Sequence, residues 1–87
     1  MIWYIYIIEC DDGKLYTGLT DNVERRFKEH QLKGAHFTSY NPAVKILYQE
    51  AFQDKHQAAL REKQLKGWTR KKKLALSSGD LALLKKL

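Results

Sequence analysis

Apolar and polar positions alternate with period two at the start of the chain and again near its middle. Trp3, Ile5 and Ile7 interleave with Tyr4, Tyr6 and Ile8, and β-branched and aromatic residues dominate, so the pattern predicts a strand over Trp3–Glu9. Leu15–Thr20 reads as a second strand. Asp11-Asp12-Gly13 between them suits a short hairpin loop with Gly13 in the left-handed position. That loop pairs Cys10 with Lys14, and the register then sets Ile8 opposite Tyr16, Tyr6 opposite Gly18 and Tyr4 opposite Thr20. Tyr6 and Tyr16 become diagonal neighbours on one face of the pleat. Gly18, with no side chain opposite Tyr6, is expected to leave a notch for a ligand. Core packing is the plainer account of two strand tyrosines taken by themselves.

The period then changes to that of a helix. Asp21 is the predicted N-cap, Glu24 completes a capping-box-like pair, and Gly34 closes the helix. On a wheel of ~100° per residue, Val23 and Phe27 form the buried stripe. Arg26 and His30 fall on its shoulder and lean over the sheet, whereas Arg25 points to solvent. Residues 34–43, GAHFTSYNPA, read as a loop whose His36, Thr38, Ser39 and Tyr40 offer hydrogen-bonding groups. Val44–Phe52 alternates as a third strand. Asp54 caps a second helix with Gln57 in the reciprocal position, and Gly67 stops it. Ala58, Glu62 and Leu65 share one stripe of this helix, which puts a carboxylate in the middle of its buried face. Glutamate is rarely buried without a partner. A salt bridge to Arg26, a snorkelling side chain at the core edge and a bound cation each answer that requirement.

Thr69 caps a short helix over Arg70–Leu76 that opens on Arg70-Lys71-Lys72-Lys73, cations that oppose the helix dipole. After Ser77-Ser78-Gly79 a last helix over Asp80–Lys86 follows, and its Leu81, Leu83 and Leu84 are expected to pack on the sheet or the other helices. The order of elements predicts an α+β fold, a small antiparallel sheet with helices around it, in one domain of 87 residues.

Charge changes the picture more than composition does. Residues 1–53 carry six basic and seven acidic side chains, whereas residues 54–87 carry ten basic against three acidic. Such asymmetry suits a polyanion, nucleic acid first and an anionic membrane surface second, although a solvated lysine-rich surface has the same composition. No stretch approaches the ~20 apolar residues of a membrane span. The N-terminus lacks a secretory pattern, and the single Cys10 fits a reducing compartment. A cytoplasmic location is expected.

Strand faces and helix stripes are expected to converge on one surface that carries Tyr6, Tyr16, Arg26, His30 and Glu62. An arginine, a lone carboxylate and two phenols suit phosphodiester cleavage: the arginine neutralises developing charge, a carboxylate-held cation polarises the phosphate, and a phenol relays a proton. These residues and their order resemble the GIY-YIG nuclease superfamily, above all its small stand-alone bacterial members. The first motif is Tyr4-Ile5-Tyr6, with Tyr4 in place of the first glycine; the second is Tyr16-Thr17-Gly18, with Thr17 in place of isoleucine. Arg26 in DNVERRFKEH matches the helix arginine, His30 a position where the family often carries histidine, and Glu62 in AALREKQLKGW the metal-binding glutamate. Each motif alone is weak; together, in order, they cover nearly the whole chain.

The resemblance implies a GIY-YIG-like fold on a three-stranded antiparallel sheet and hydrolysis of DNA, in repair or recombination, with a single Mg²⁺ or Mn²⁺ on Glu62. Tyr6 would be the general base or its relay, Tyr16 would orient water or phosphate, and Arg26 would stabilise the pentacovalent phosphate. Arg26, Lys66, Arg70, Lys71, Lys72 and Lys73 are the candidate nucleic-acid contacts. Two departures stand out. Many family nucleases carry an asparagine late in the domain, and here Asn22 and Asn41 both precede Glu62. A separate recognition domain, usual in the family, is not read in this chain, which leaves selectivity to a protein partner, since phosphate contacts position without specifying sequence. The alternatives are a nucleic-acid-binding module that has lost turnover and an interaction domain whose basic tail docks an acidic protein.

Overall fold

A computed structural model describes residues 1–32 and 42–87. Its strands are β1 (Trp3–Cys10), β2 (Leu15–Thr20) and β3 (Ala43–Phe52), and its helices α1 (Val23–Leu32), α2 (Lys55–Lys66), α3 (Arg70–Ser78) and α4 (Leu81–Lys86). The sheet is three-stranded and antiparallel in the order β2-β1-β3, so β1 is central. A central strand covered on both faces must be apolar on both, and Ile5, Tyr6, Ile7 and Ile8 are all buried.

The hairpin has the expected register: Tyr4 faces Thr20, Tyr6 faces Gly18 and Ile8 faces Tyr16. The Cys10 N–H donates to the Lys14 carbonyl at 2.9 Å and the Gly13 N–H to the Cys10 carbonyl at 2.8 Å. Gly13 has φ 86°, the left-handed conformation this turn demands and one that side chains resist. Irregularities between Ile7 and Ile8 and between Glu9 and Cys10 interrupt the β1–β3 ladder.

The two faces of the sheet carry different helices. On one, Val23 and Phe27 of α1 pack against Tyr6, Ile8 and Ala43. On the other, Ala58 and Leu65 of α2 pack with Ile5 and Ile7, together with Trp68 and Leu76. The expected single surface fed by both helices is therefore corrected: α1 and α2 lie on opposite sides, and α2 runs beneath β1 and the edge strand β2. Thr17, paired with Ile7, is 4% exposed, and its hydroxyl has no hydrogen-bond partner among the described residues. Replacing it with the isosteric valine, Thr17→Val, removes an orphaned polar group and should stabilise the fold by about 1 kcal/mol. The readout is a higher urea midpoint with an unchanged denaturant slope.

Several boundaries differ from expectation for local reasons. Asn22, not Asp21, caps α1: its Oδ1 accepts from the Arg25 N–H at 3.0 Å, and its own N–H donates to Thr20 Oγ1 at 3.1 Å. Asp21 is instead paired with Arg25, and Glu24 with Lys28, so no capping box forms. Asp54 and Thr69 cap α2 and α3 as expected. Helix α3 runs on through Ser77 and Ser78, whose hydroxyls donate back to the carbonyls of Lys73 and Ala75, and ends at left-handed Gly79. The leucines of α4 do not reach the sheet: Leu81 is 64% and Leu83 38% exposed. A six-residue helix that turns off Gly79 onto α3 has too little length to lay a stripe on anything else. Gly34 and the predicted loop with His36, Thr38, Ser39 and Tyr40 lie outside the described residues.

Candidate functional site

Tyr6 sits at the centre of the site because β1 does. Its ring is 1% exposed and lies across Gly18 of the neighbouring strand. A Cβ on Gly18 would come within 2.8 Å of Tyr6 Cε1 and nearer still to Cζ and Oη. The expected ligand notch at Gly18 is thus filled by the Tyr6 ring itself, since an aromatic side chain opposite glycine gains contact by folding over it. Tyr16, 40% exposed, stands on the same face with its ring centre 6.3 Å from that of Tyr6.

Helix α1 brings two side chains over this pair, as its wheel predicts. The His30 ring centre is 4.8 Å from Tyr16, and its Nε2 is 3.4 Å from Tyr6 Oη. The Arg26 guanidinium stands near enough to Tyr6 and Tyr16 to interact with both phenols and pairs with Glu29 at 3.5 Å. Arg25 points away, as expected, and pairs with Asp21 and Glu29. Burial raises the Tyr6 phenol above its usual value of 10.0, opposed by its bond to Arg26. Burial also lowers His30 below 6.5, aided by the Arg26 charge and opposed by Glu29. Near neutrality the site therefore holds a protonated phenol beside a neutral imidazole, a donor next to an acceptor.

Glu62 stands on α2, which covers the other face of the sheet. Its charge acts on the Tyr6 phenol, and its side chain is 21% exposed. The expected salt-bridge partner, Arg26, is not the one found: Lys66, one helical turn on, holds the Glu62 carboxylate at 3.2 Å. No group of three or more His, Cys, Asp or Glu side chains converges anywhere among the described residues. The donor set is thus one hard, partly accessible carboxylate, which fits a divalent cation whose remaining ligands are water and phosphate oxygens.

The basic run at the start of α3 is not uniform. Arg70 pairs with Glu9 at 3.7 Å and also donates to the Gly13 carbonyl, tying α3 to the hairpin loop. Lys72 lies over the Trp68 ring, 4.3 Å from its centre. Lys71 is exposed, and Lys73 is partly buried close to Lys66. Reading the sequence missed this division, and missed Lys14 beside the run. The Arg70–Gly13 contact spans 57 positions, and no local signal carries it.

Comparison with known proteins identifies the family and the fold. The GIY-YIG catalytic domain model matches residues 2–75. The UPF0213 protein SSP2268 of Staphylococcus saprophyticus is 43% identical over 76 residues, covering 86% of this chain and 93% of that protein. The UPF0213 protein SAG0778 of Streptococcus agalactiae is 47% identical over 72 residues, covering 82% of each. Among solved structures, the solution NMR structure of UPF0213 protein BH0048 from Bacillus halodurans is 41% identical with a TM-score of 0.58, covering 90% of this chain and 84% of that one. The solution NMR structure of EF2693 from E. faecalis is 30% identical with a TM-score of 0.63, covering 93% and 88%. A three-stranded antiparallel sheet flanked by helices, the two tyrosine motifs and a family model spanning most of the length place the chain in the GIY-YIG nuclease family, among relatives named UPF0213.

Proposed function

We propose that this protein is a divalent-metal-dependent endonuclease that hydrolyses DNA phosphodiester bonds at the Tyr6 centre. The observation that carries the reading is the meeting of Tyr6, Tyr16, His30 and Arg26 over one face of the hairpin, with the Glu62 charge felt at the same phenol. Arg26, paired with Glu29 beside both phenols, is set to neutralise charge that develops on phosphoryl oxygens. Tyr6 takes a proton from the attacking water as its own passes to neutral His30, so the phenol need not ionise first. Tyr16, the more exposed ring, orients water or phosphate at the mouth. Glu62 would hold a single Mg²⁺ or Mn²⁺, which when bound polarises the scissile phosphate. Repair or recombination DNA fits the family, and a protein partner is the natural source of substrate selectivity.

Arg26→Ala tests the assignment. Single-turnover cleavage of supercoiled plasmid should fall by roughly 10²–10³-fold, the cost of losing one charge-stabilising donor. Retained cleavage with intact DNA binding would refute the role. A second reading, a nucleic-acid-binding module without turnover, is favoured by one observation: Lys66 already occupies the Glu62 carboxylate. It predicts salt-sensitive DNA binding and no cleavage with either metal.

A further inference from the structure

The unequal cations around α3 mark a path. Arg70 is engaged with Glu9 and the Gly13 carbonyl, and Lys72 with Trp68. Lys73 has no acidic partner among the described residues, and its ammonium repels that of Lys66 across the α2–α3 junction. Between α3 and the β1–β2 loop opens a cleft of about 570 Å³, walled by Asp12, Gly13, Lys14, Leu15, Arg70 and Lys73. Lys14, with an 82% exposed side chain, stands at its outer lip and is held only loosely by Asp12 at 3.8 Å. Lys66, whose charge acts on the cleft's Lys73, pairs on its other side with Glu62 at 3.2 Å. Like charges brought together at a protein surface are relieved by an anion between them. A line of separate cations asks for an anion that repeats, which free phosphate does not offer.

We infer that this cleft carries the sugar-phosphate backbone of a nucleic-acid strand away from the Glu62 site, contacted by Lys66, Lys73 and Lys14. The inference rests on the nuclease reading for where the strand begins. Arg70 is a positioning residue here: it braces the hairpin loop against α3 and so keeps the cleft open. Lys14, on the otherwise acidic Asp11-Asp12 loop, belongs to the nucleic-acid surface although it lies far in sequence from the basic segment.

The test is the salt dependence of binding to a short labelled DNA duplex with metal chelated, for the wild type, Lys14→Ala, Lys73→Gln and Lys28→Ala. Loss of one phosphate contact should reduce the slope of log K against log salt by about 0.9 in each of the first two variants. Lys28→Ala, on the solvent side of α1 and paired with Glu24, should keep the wild-type slope. Unchanged slopes in Lys14→Ala and Lys73→Gln, with a binding wild type, overturn the path and leave the nuclease reading standing. Competition by inorganic phosphate at the same concentration as nucleotide phosphate would instead assign the cleft to a free anion and overturn it too. A wild type that binds no DNA at all sinks both readings. If Lys73→Gln does not fold, exposed Lys14→Ala decides alone.

Discussion

Gly18→Ala should inactivate the protein by moving a residue that is itself unchanged. The added methyl would overlap the Tyr6 ring, with Cε1 at 2.8 Å and Cζ and Oη closer. Relief cannot come from the far end of a flexible chain, because Tyr6 is rigid, buried to 1% exposure and packed with Ile8 and Val23. Either the ring or the edge strand must shift, at a cost of about 1–3 kcal/mol for overpacking in a core. Activity should fall much further, because the influence of Arg26 and the approach of His30 both depend on where Tyr6 Oη lies, and a displacement of about 1 Å costs on the order of 10²-fold. The expected result is a folded, moderately destabilised variant with cleavage lowered at least that far. Wild-type cleavage in a folded Gly18→Ala protein would show that the Tyr6 position does not matter.

Glu62→Gln should have the larger effect on chemistry and the smaller one on folding. The substitution keeps size and removes the charge that would hold the cation, so metal-dependent cleavage should drop by about 10³-fold or more. Stability should change little, because what is lost structurally is an ion pair with Lys66, whose side chain is 55% exposed, and such pairs contribute about 0–1 kcal/mol. Calorimetric titration with Mn²⁺ in the presence of uncleavable DNA checks the cause: the wild type should show metal uptake that Glu62→Gln lacks. Equal uptake by both proteins would remove Glu62 from the metal site.

How much of this was legible beforehand depended on range. The hairpin register followed from counting residues around Gly13, since loop length and strand period leave one solution. Arg26 and His30 over the tyrosines followed from helical period. The Lys66 partner of Glu62 is legible in principle, four residues on along the same helix, where it competes with Arg26 as a candidate cation. What could not be read was which face of the sheet each helix covers, because alternation defines two faces of β1 and both are apolar. For that reason the sequence places Glu62 on the stripe shared by Ala58 and Leu65 and leaves open which face of the sheet α2 covers. The Arg70 brace and the cleft beside Lys14 depend on contacts between the two ends of the chain, which no local pattern encodes. The α4 leucines met half of their expectation: the helix packs on α3 with Leu84 half-buried, while Leu81 and Leu83 stay exposed because six residues beyond Gly79 are too few to reach the sheet.

The tyrosine pair on the hairpin, with Arg26 and Glu62, is proposed to form a working hydrolytic site. The most direct measurement is nicking of supercoiled plasmid by the wild-type protein, titrated with Mg²⁺ and Mn²⁺ at constant ionic strength and compared with excess chelator. Nicked product should rise with metal to saturation and vanish on chelation. DNA binding without nicking at any concentration of either metal would contradict it.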